Sequence, residues 1–372
     1  MRILFLAFRD PSNPYVGGGD IYINELAKGC AKRGHSITIL SSRFPGSEKE
    51  EFVEGVHVVR MGNGFTMFTK VFTYYFKHLR GKFDVVIEEI MGGPRIPFFA
   101  CLYMKEKLVG ILQQRHKEIF RHQFSFPITS FLSFLERFLA LLYRGKVVIV
   151  NSSRTEQDLR EIGFLEDRMH IVYPGLPKWF FTVANTDFST RRFRVICLTK
   201  IRRYKLIDCA VRAMKNVCKA MPNCELVIAG RTNDVEPKYE EELRYLVEDL
   251  GLSKNVSFRK DISETEKIEL LRTCRALVLP SAIEGFGIVV IEANACGTPA
   301  IVSDRVPKDA AIDGYNAIVF PCYDEKSLST AISSLMLDEV MWTKMSMKAK
   351  HLAEKFAWDK SVDRFVEVIK NI

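Results

Sequence analysis

The sequence predicts an α/β protein built of two doubly wound domains in tandem. Three observations carry that reading. Short, continuous apolar runs alternate with stretches of helical period, the pattern of parallel strands covered by helices on both faces. The alternation occurs twice, on either side of "VYPGLPKWFFTVANTDFSTRR" (172–192), which is rich in turn and polar residues and poor in periodicity. A chain of 372 residues is also long for a single hydrophobic core. We therefore expect a first domain over 1–176 and a second over 177–356.

In the first half, "RILFLA" (2–7) reads as the opening strand. "DIYINELAKGCAKRG" then places Ile23, Leu26, Ala27, Cys30 and Ala31 at helical spacing, with Gly34 as the stop. "SITILS" (36–41), "VHVVR" (56–60), "DVVIEE" (84–89), "LVGIL" (108–112) and "KVVIV" (146–150) follow as strands. "FSFPITSFLSFLERFLALLY" (124–143) is strongly apolar around Glu136 and Arg137. A helix packed on the first sheet is preferred there to a helix on a membrane surface, because helices of large domains are often apolar on most faces.

In the second half the strands are "FRVICLT" (193–199), "CELVIAG" (224–230), "NVSFR" (255–259), "RALVLP" (275–280), "TPAIVS" (298–303) and "AIVF" (317–320). Ligands of doubly wound sheets sit beyond the carboxyl ends of the strands, so two such sheets facing each other would hold a site in the cleft between them.

Composition bounds the function. With 47% hydrophobic and 27% charged residues the chain reads as soluble and globular, and no apolar run long enough to span a bilayer is free of charge. "MRILFLAFRD" has no small-residue cleavage site and reads as a strand rather than a signal peptide. The nine cysteines are scattered without CxxC or His spacing, which suits free thiols in a reducing cytoplasm. The net charge of +9 is dispersed, with its densest knot at "RRFRVICLTKIRRYK" (191–205). A pocket for a phosphorylated ligand, an attraction to anionic lipid and a nucleic-acid patch compete for that knot. Without a basic platform interleaved with aromatics or a helix-turn-helix signature, nucleic acid ranks last. The expected location is cytoplasmic, with peripheral contact at the inner face of the membrane left open.

Three stretches carry candidate chemistry. "NPYVGGGD" (13–20) lies between the first strand and first helix, where glycines let backbone N–H groups approach an anion at a helix N-terminus. It is neither GxGxxG nor a P-loop, so a nicotinamide enzyme is disfavoured. "LTKIRRYK" (198–205) puts Lys200 and Lys205 at the carboxyl end of a strand, where a phosphate ligand belongs. "SAIEGFGIVVIEANACGTP" (281–299) places Glu284 before a Gly-Phe-Gly turn and Glu292 in the apolar helix that starts near Ile288. A buried carboxylate needs hydrogen bonds, and the vicinal hydroxyls of a sugar are suitable donors.

"EGFGIVVIEANACGTPAIVSD" resembles the Glu-x7-Glu signature of retaining nucleotide-sugar glycosyltransferases of family 4, which have the GT-B fold of two Rossmann-like domains. The resemblance runs nearly the whole chain, through "GGGDIYINELAKGCAKRGHSITIL", "RTEQDLREIGF", "VYPGL", "LTKIRRYK", "DGYNAIVFPCYD" and "FAWDKSVDRF". It implies that Glu292 accepts hydrogen bonds from the nucleotide ribose and that Glu284 holds a donor-sugar hydroxyl. Backbone groups of Gly285, Phe286, Gly287 and Ile288 would touch sugar and diphosphate. Lys200 and Lys205 would hold the diphosphate, with Gly18 and Gly19 closing on it from the acceptor-side domain. No metal or other cofactor is implied; the donor is a nucleotide diphosphate sugar, and the acceptor is a glycan or lipid-linked sugar. The resemblance also implies a final helix, about 357–372, that crosses back onto the first domain.

The sequence departs from the family pattern at four places. Lys200 replaces the usual Arg, which loses the bidentate fork but keeps the charge. Leu206 and Lys260 replace glycines. Gln113 stands where many members have His, so it can bond a sugar hydroxyl but cannot titrate; the nearby His116 reads as a surface residue. Gln113 also keeps open a non-catalytic sugar-nucleotide-binding protein, and a phosphorylase or epimerase of the same architecture is a further rival.

Overall fold

The structure, a computed structural model, describes residues 1–63, 66–90, 98–115, 125–183, 186–230 and 236–372. His116 lies outside them. The chain divides into two compact units, Met1–Gly175 with Trp358–Ile372, and Leu176–Ala357. Among the described residues the first unit holds helices α1 (Gly18–Lys32), α2 (Thr66–Tyr74), α3 (Phe126–Tyr143) and α4 (Ser153–Arg160). The second holds α5 (Ile207–Ala220), α6 (Tyr239–Asp249), α7 (Glu264–Thr273), α8 (Ile288–Ala295), α9 (Glu325–Leu337) and α10 (Glu339–Ala353). The terminal helix α11 (Trp358–Lys370) belongs to the first unit.

The strands of the first unit are β1 (Arg2–Leu6), β2 (Ser36–Ser41), β3 (Glu50–Val53), β4 (Val56–Arg60), β5 (Val85–Glu89), β6 (Lys107–Leu112), β7 (Val147–Val150) and β8 (Met169–Ile171). They form one sheet in the order β3-β4-β2-β1-β5-β6-β7-β8. All neighbours are parallel except β3 and β4, which form a hairpin through Glu54 and Gly55 at φ +48 and +83. Two left-handed residues make the turn that matches the twist of a two-residue hairpin. β3 and β8 are not among the strands the periodicity predicts; at four and three residues they are too short to show a period.

Alternation along β1 divides the core of this unit. Ile3 and Phe5 face α1 and α11, while Leu4 and Leu6 face α2 and α3. α11 presses closely on α1: a Cβ at Gly29 would lie 2.3 Å from Val362 Cγ2, so the helix crossing requires glycine there. On the other face α3 meets the sheet through Leu139, Ala140 and Tyr143 but leaves Phe131, Phe134, Phe138 and Leu141 exposed. The expected packed helix is present, and its most apolar face points away from the sheet.

The second unit contains β9 (Arg194–Leu198), β10 (Glu225–Ala229), β11 (Val256–Arg259), β12 (Ala276–Leu279), β13 (Ala300–Ser303) and β14 (Ala317–Phe320). All are parallel, in the order β11-β10-β9-β12-β13-β14. The chain winds outward in one direction from β9 and returns to start again at β12. A crevice therefore opens beyond the carboxyl ends of β9 and β12, the place where such sheets bind ligands. In the first unit the same reversal falls between β1 and β5.

Candidate functional site

The loops that leave β9 and β12 are tied to each other. The backbone N–H of Ala282 donates to the carbonyl of Tyr204 at 2.8 Å. The loop after β10 supports the first of them so closely that a Cβ at Gly230 would fall 1.8 Å from the Thr199 carbonyl oxygen. Within this frame Lys205 Nζ donates to Glu284 Oε2 at 2.6 Å. Both side chains are largely buried, at 12% and 16% exposure, and 79 residues separate them. Burial pulls the Lys205 ammonium down, but the Glu284 carboxylate beside it outweighs burial, and its pKa stands above the ordinary lysine value. Two residues that the sequence assigns to phosphate and sugar thus form one ion pair. Leu206, next in sequence, takes φ +50 at the start of α5. A left-handed leucine costs about 1 kcal/mol, which is a physical reason for glycine to be usual there.

Gly287 at φ +92 starts α8, and a Cβ on it would sit 3.3 Å from Val306 Cγ1. The Phe286 side chain packs against Phe356 in the core, with ring centroids 5.3 Å apart, so its ring is turned away from any ligand. The N-terminal amides of α8 point toward the crevice end of the sheet and favour an anion.

Glu292, in the middle of α8, is not left to wait for a sugar: Lys267 Nζ of α7 donates to its Oε1 at 2.8 Å. Burial pushes the Glu292 carboxyl up, the Lys267 charge pulls it down, and burial prevails. Lys267 also contacts Glu264 at 2.9 Å and lies 5.5 Å from the centre of the Phe180 ring. The sequence reading overlooks Lys267. The signal was its spacing: it falls four residues before Leu271, the fully buried residue of α7, and so lies on the helix's inner face.

The basic knot at 191–205 separates into different roles. Arg191 is buried and donates to the carbonyls of Cys274 and Cys296 at 2.8 and 2.9 Å, a structural clamp. Arg194 pairs with Glu225 on the neighbouring strand at 2.5 Å, and Arg203 with Glu242 at 2.6 Å. Lys200 is exposed in the loop beyond β9. Lys260 pairs with Glu240 at 2.9 Å. No single cationic patch results.

A second set of predicted residues lies in the first unit. Gly18 and Gly19 form the first turn of α1 itself rather than a loop before it, with Gly17 as the capping residue. Asp20 closes the turn by accepting from the Gly17 N–H at 2.7 Å and from Arg9 at 3.2 Å. Gln113, just past β6, donates through Nε2 to the Gly19 carbonyl at 2.9 Å. A Cβ at Gly19 would come within 3.1 Å of that nitrogen. The Gln113 amide therefore holds the glycine turn.

Comparison with known proteins agrees with this architecture. The model of the group 1 glycosyl transferases matches residues 182–355, and that of glycosyltransferase family 4 matches residues 16–178. A D-inositol 3-phosphate glycosyltransferase of Corynebacterium jeikeium is 28% identical over 58% of this chain and 55% of its own length. The chain spans about half the length of several such curated relatives it matches. Among solved structures, sucrose-phosphate synthase from Thermosynechococcus elongatus has a TM-score of 0.81 at 18% identity, covering 100% of this chain and 98% of its own. Anabaena HepE in complex with UDP-glucose has a TM-score of 0.77 at 18% identity, with both chains covered fully. These structures share the fold: two Rossmann-like α/β domains with parallel sheets. The chain belongs to glycosyltransferase family 4 and has the GT-B fold.

Proposed function

We propose that the protein transfers a sugar from a nucleotide diphosphate sugar, with retention at the anomeric carbon, to a hydroxyl of a glycan, a lipid-linked sugar or a small acceptor. The observation that carries this reading is the buried Lys205–Glu284 pair at the switch point of the second unit. Breaking a buried pair costs about 3–5 kcal/mol, so a ligand must offer replacement partners to both ions. A diphosphate suits the ammonium, and a sugar hydroxyl suits the carboxylate. Glu292 accepts from the ribose, and the backbone of Gly285 to Ile288 meets the phosphates at the start of α8. Lys200 adds a second positive charge on the same loop.

The charge to be stabilised builds up on the leaving diphosphate. Preorganised cations and helix amides can do that work without a metal, and they act most strongly where water is excluded. A leaving phosphate oxygen serves as base for the acceptor hydroxyl on the same face. For Gly18 and Gly19 of the first unit the family resemblance implies the diphosphate, and for Gln113 a sugar hydroxyl. That Anabaena HepE is seen with UDP-glucose supports a UDP-sugar as the first donor to try.

The test is incubation of purified protein with UDP-, GDP- and ADP-sugars and a panel of acceptors in the presence of EDTA. Nucleotide release and the anomeric configuration of the product would be followed by NMR. Retained configuration is expected. An inverted product rejects the mechanism, and binding without turnover leaves a sugar-nucleotide-binding protein.

A further inference from the structure

α3 buries its more polar side. The face against the sheet carries Thr129, Glu136, Leu139, Ala140 and Tyr143. Phe131, Phe134, Phe138 and Leu141, spaced by three and four residues, form an outer stripe with each side chain 43–66% exposed. Only 28% of this 18-residue helix is buried, whereas the core helix of a globular domain is mostly covered. The apolar surface continues on the same side of the sheet. Phe72 at the end of α2 and Phe76 in the π-helical turn Tyr75–Leu79 are exposed, and both rings contact Tyr103. Beside them Leu102 is 65% exposed.

Positive charge frames these aromatics. Between Thr66 and Phe83 the chain carries Lys70, Lys77, Arg80 and Lys82 and no Asp or Glu. From Ser125 to Lys146 it carries Arg137, Arg144 and Lys146 against one acid, Glu136, which is buried and faces Arg115 at 3.5 Å. An aromatic stripe bordered by Lys and Arg, with almost no acid in the same segments, has the composition of a helix lying in an anionic lipid interface. α3 is long and apolar enough to span a bilayer, but its inner face is fastened to the sheet, with Tyr143 donating to the buried Glu88 at 2.7 Å. It is held flat.

We propose that this face of the first unit docks on a bilayer containing anionic phospholipid, with the Phe131–Phe134–Phe138–Leu141 stripe at the acyl boundary and the lysines and arginines among the headgroups. The proposal stands apart from the sugar-transfer reading, because Lys205, Glu284, Lys267 and Glu292 all lie in the other unit.

The test is cosedimentation of the full chain with two kinds of vesicle, phosphatidylcholine alone and equal parts phosphatidylcholine and phosphatidylglycerol. Binding to the mixed vesicles should exceed binding to the neutral ones by about tenfold or more and should fall as salt is raised. The variant F131S/F134S/F138S should lose at least about tenfold in vesicle binding. Its melting temperature should fall by no more than a few degrees, because Phe131 and Phe134 are about two-thirds exposed and Phe138 is 43% exposed. K70Q/K77Q should lose the preference for anionic lipid. Wild-type protein left in the supernatant with both vesicles would overturn the proposal, as would undiminished binding by the triple-serine variant. A wild-type dimer that F131S/F134S/F138S converts to monomer in sedimentation velocity would also overturn it, by showing that a second copy covers this face.

Discussion

Lys267 Nζ stands 2.8 Å from Glu292 Oε1, so the carboxylate assigned to the nucleotide ribose already has a charged partner inside the protein. The pair leaves the other carboxylate oxygen to accept from ribose. Lys267 then acts as a positioning residue whose charge opposes the burial that favours the neutral acid of Glu292.

Lys267→Met should therefore raise the Glu292 pKa further. At neutral pH the affinity for UDP should fall about tenfold and recover as the pH is raised, because the ribose loses a charged acceptor. Calorimetric titration across pH reads this directly. Tighter binding in the variant would mean that Lys267 competes with the nucleotide instead of preparing its acceptor.

Lys205→Ala should lower turnover by about 100- to 1000-fold, the scale for removing one preorganised charge from a transition state. The acceptor KM should change little. The variant also strands the Glu284 carboxylate and should lose about 3 kcal/mol of stability. Denaturant unfolding alongside the kinetics separates the two effects. A wild-type rate would show that the diphosphate rests elsewhere.

Gln113→His keeps a ring N–H within reach of the Gly19 carbonyl and adds a titratable group. Turnover should stay within about threefold of wild type and gain a dependence on pH near neutrality. Complete loss of activity would show that the amide itself is required to hold the first turn of α1.

Glu88, buried at the end of β5, gives a stability prediction away from the candidate site. Burial pushes its carboxyl up to about 7, despite the opposing hydrogen bond from Tyr143. Its Oε1 has no hydrogen-bond partner among the described residues. The folded state then holds a proton that the unfolded chain has released, so this group costs stability as pH rises from about 4.5 to about 7, and the cost stays constant above. The full cost is about 3 kcal/mol. Glu88→Gln should be more stable than wild type at pH 8, by about 1 to 3 kcal/mol once the lost carboxylate hydrogen bonding is offset. That advantage should vanish near the unfolded pKa. An offset independent of pH would show that Glu88 is ionised in the fold.

The sequence makes the strands and the switch-point loops legible because parallel strands buried on both faces are short continuous apolar runs, and β9 and β12 are both of this kind. It hides β3, whose four residues alternate too briefly to register. Lys205 and Glu284 are readable as separate candidates, but their pairing depends on two loops meeting across 79 residues. Lys267 escapes because a lysine in a helix with Glu264, Glu266 and Glu269 looks like one more surface charge. The outward-facing stripe of α3 escapes for a different reason. Apolar residues predict burial, and only the packing of Glu136 and Tyr143 against the sheet shows which side faces water.

The most direct measurement is the change in melting temperature of wild type and Glu292→Gln on titration with UDP-, GDP- and ADP-sugars. A ligand that binds only the folded state at about 100 times its Kd adds about 2.7 kcal/mol of stability. Wild type should rise by several degrees with at least one of these donors, and the variant should rise clearly less at the same concentration. No shift with any donor, or the same shift in both proteins, would show that Glu292 does not hold a nucleotide sugar.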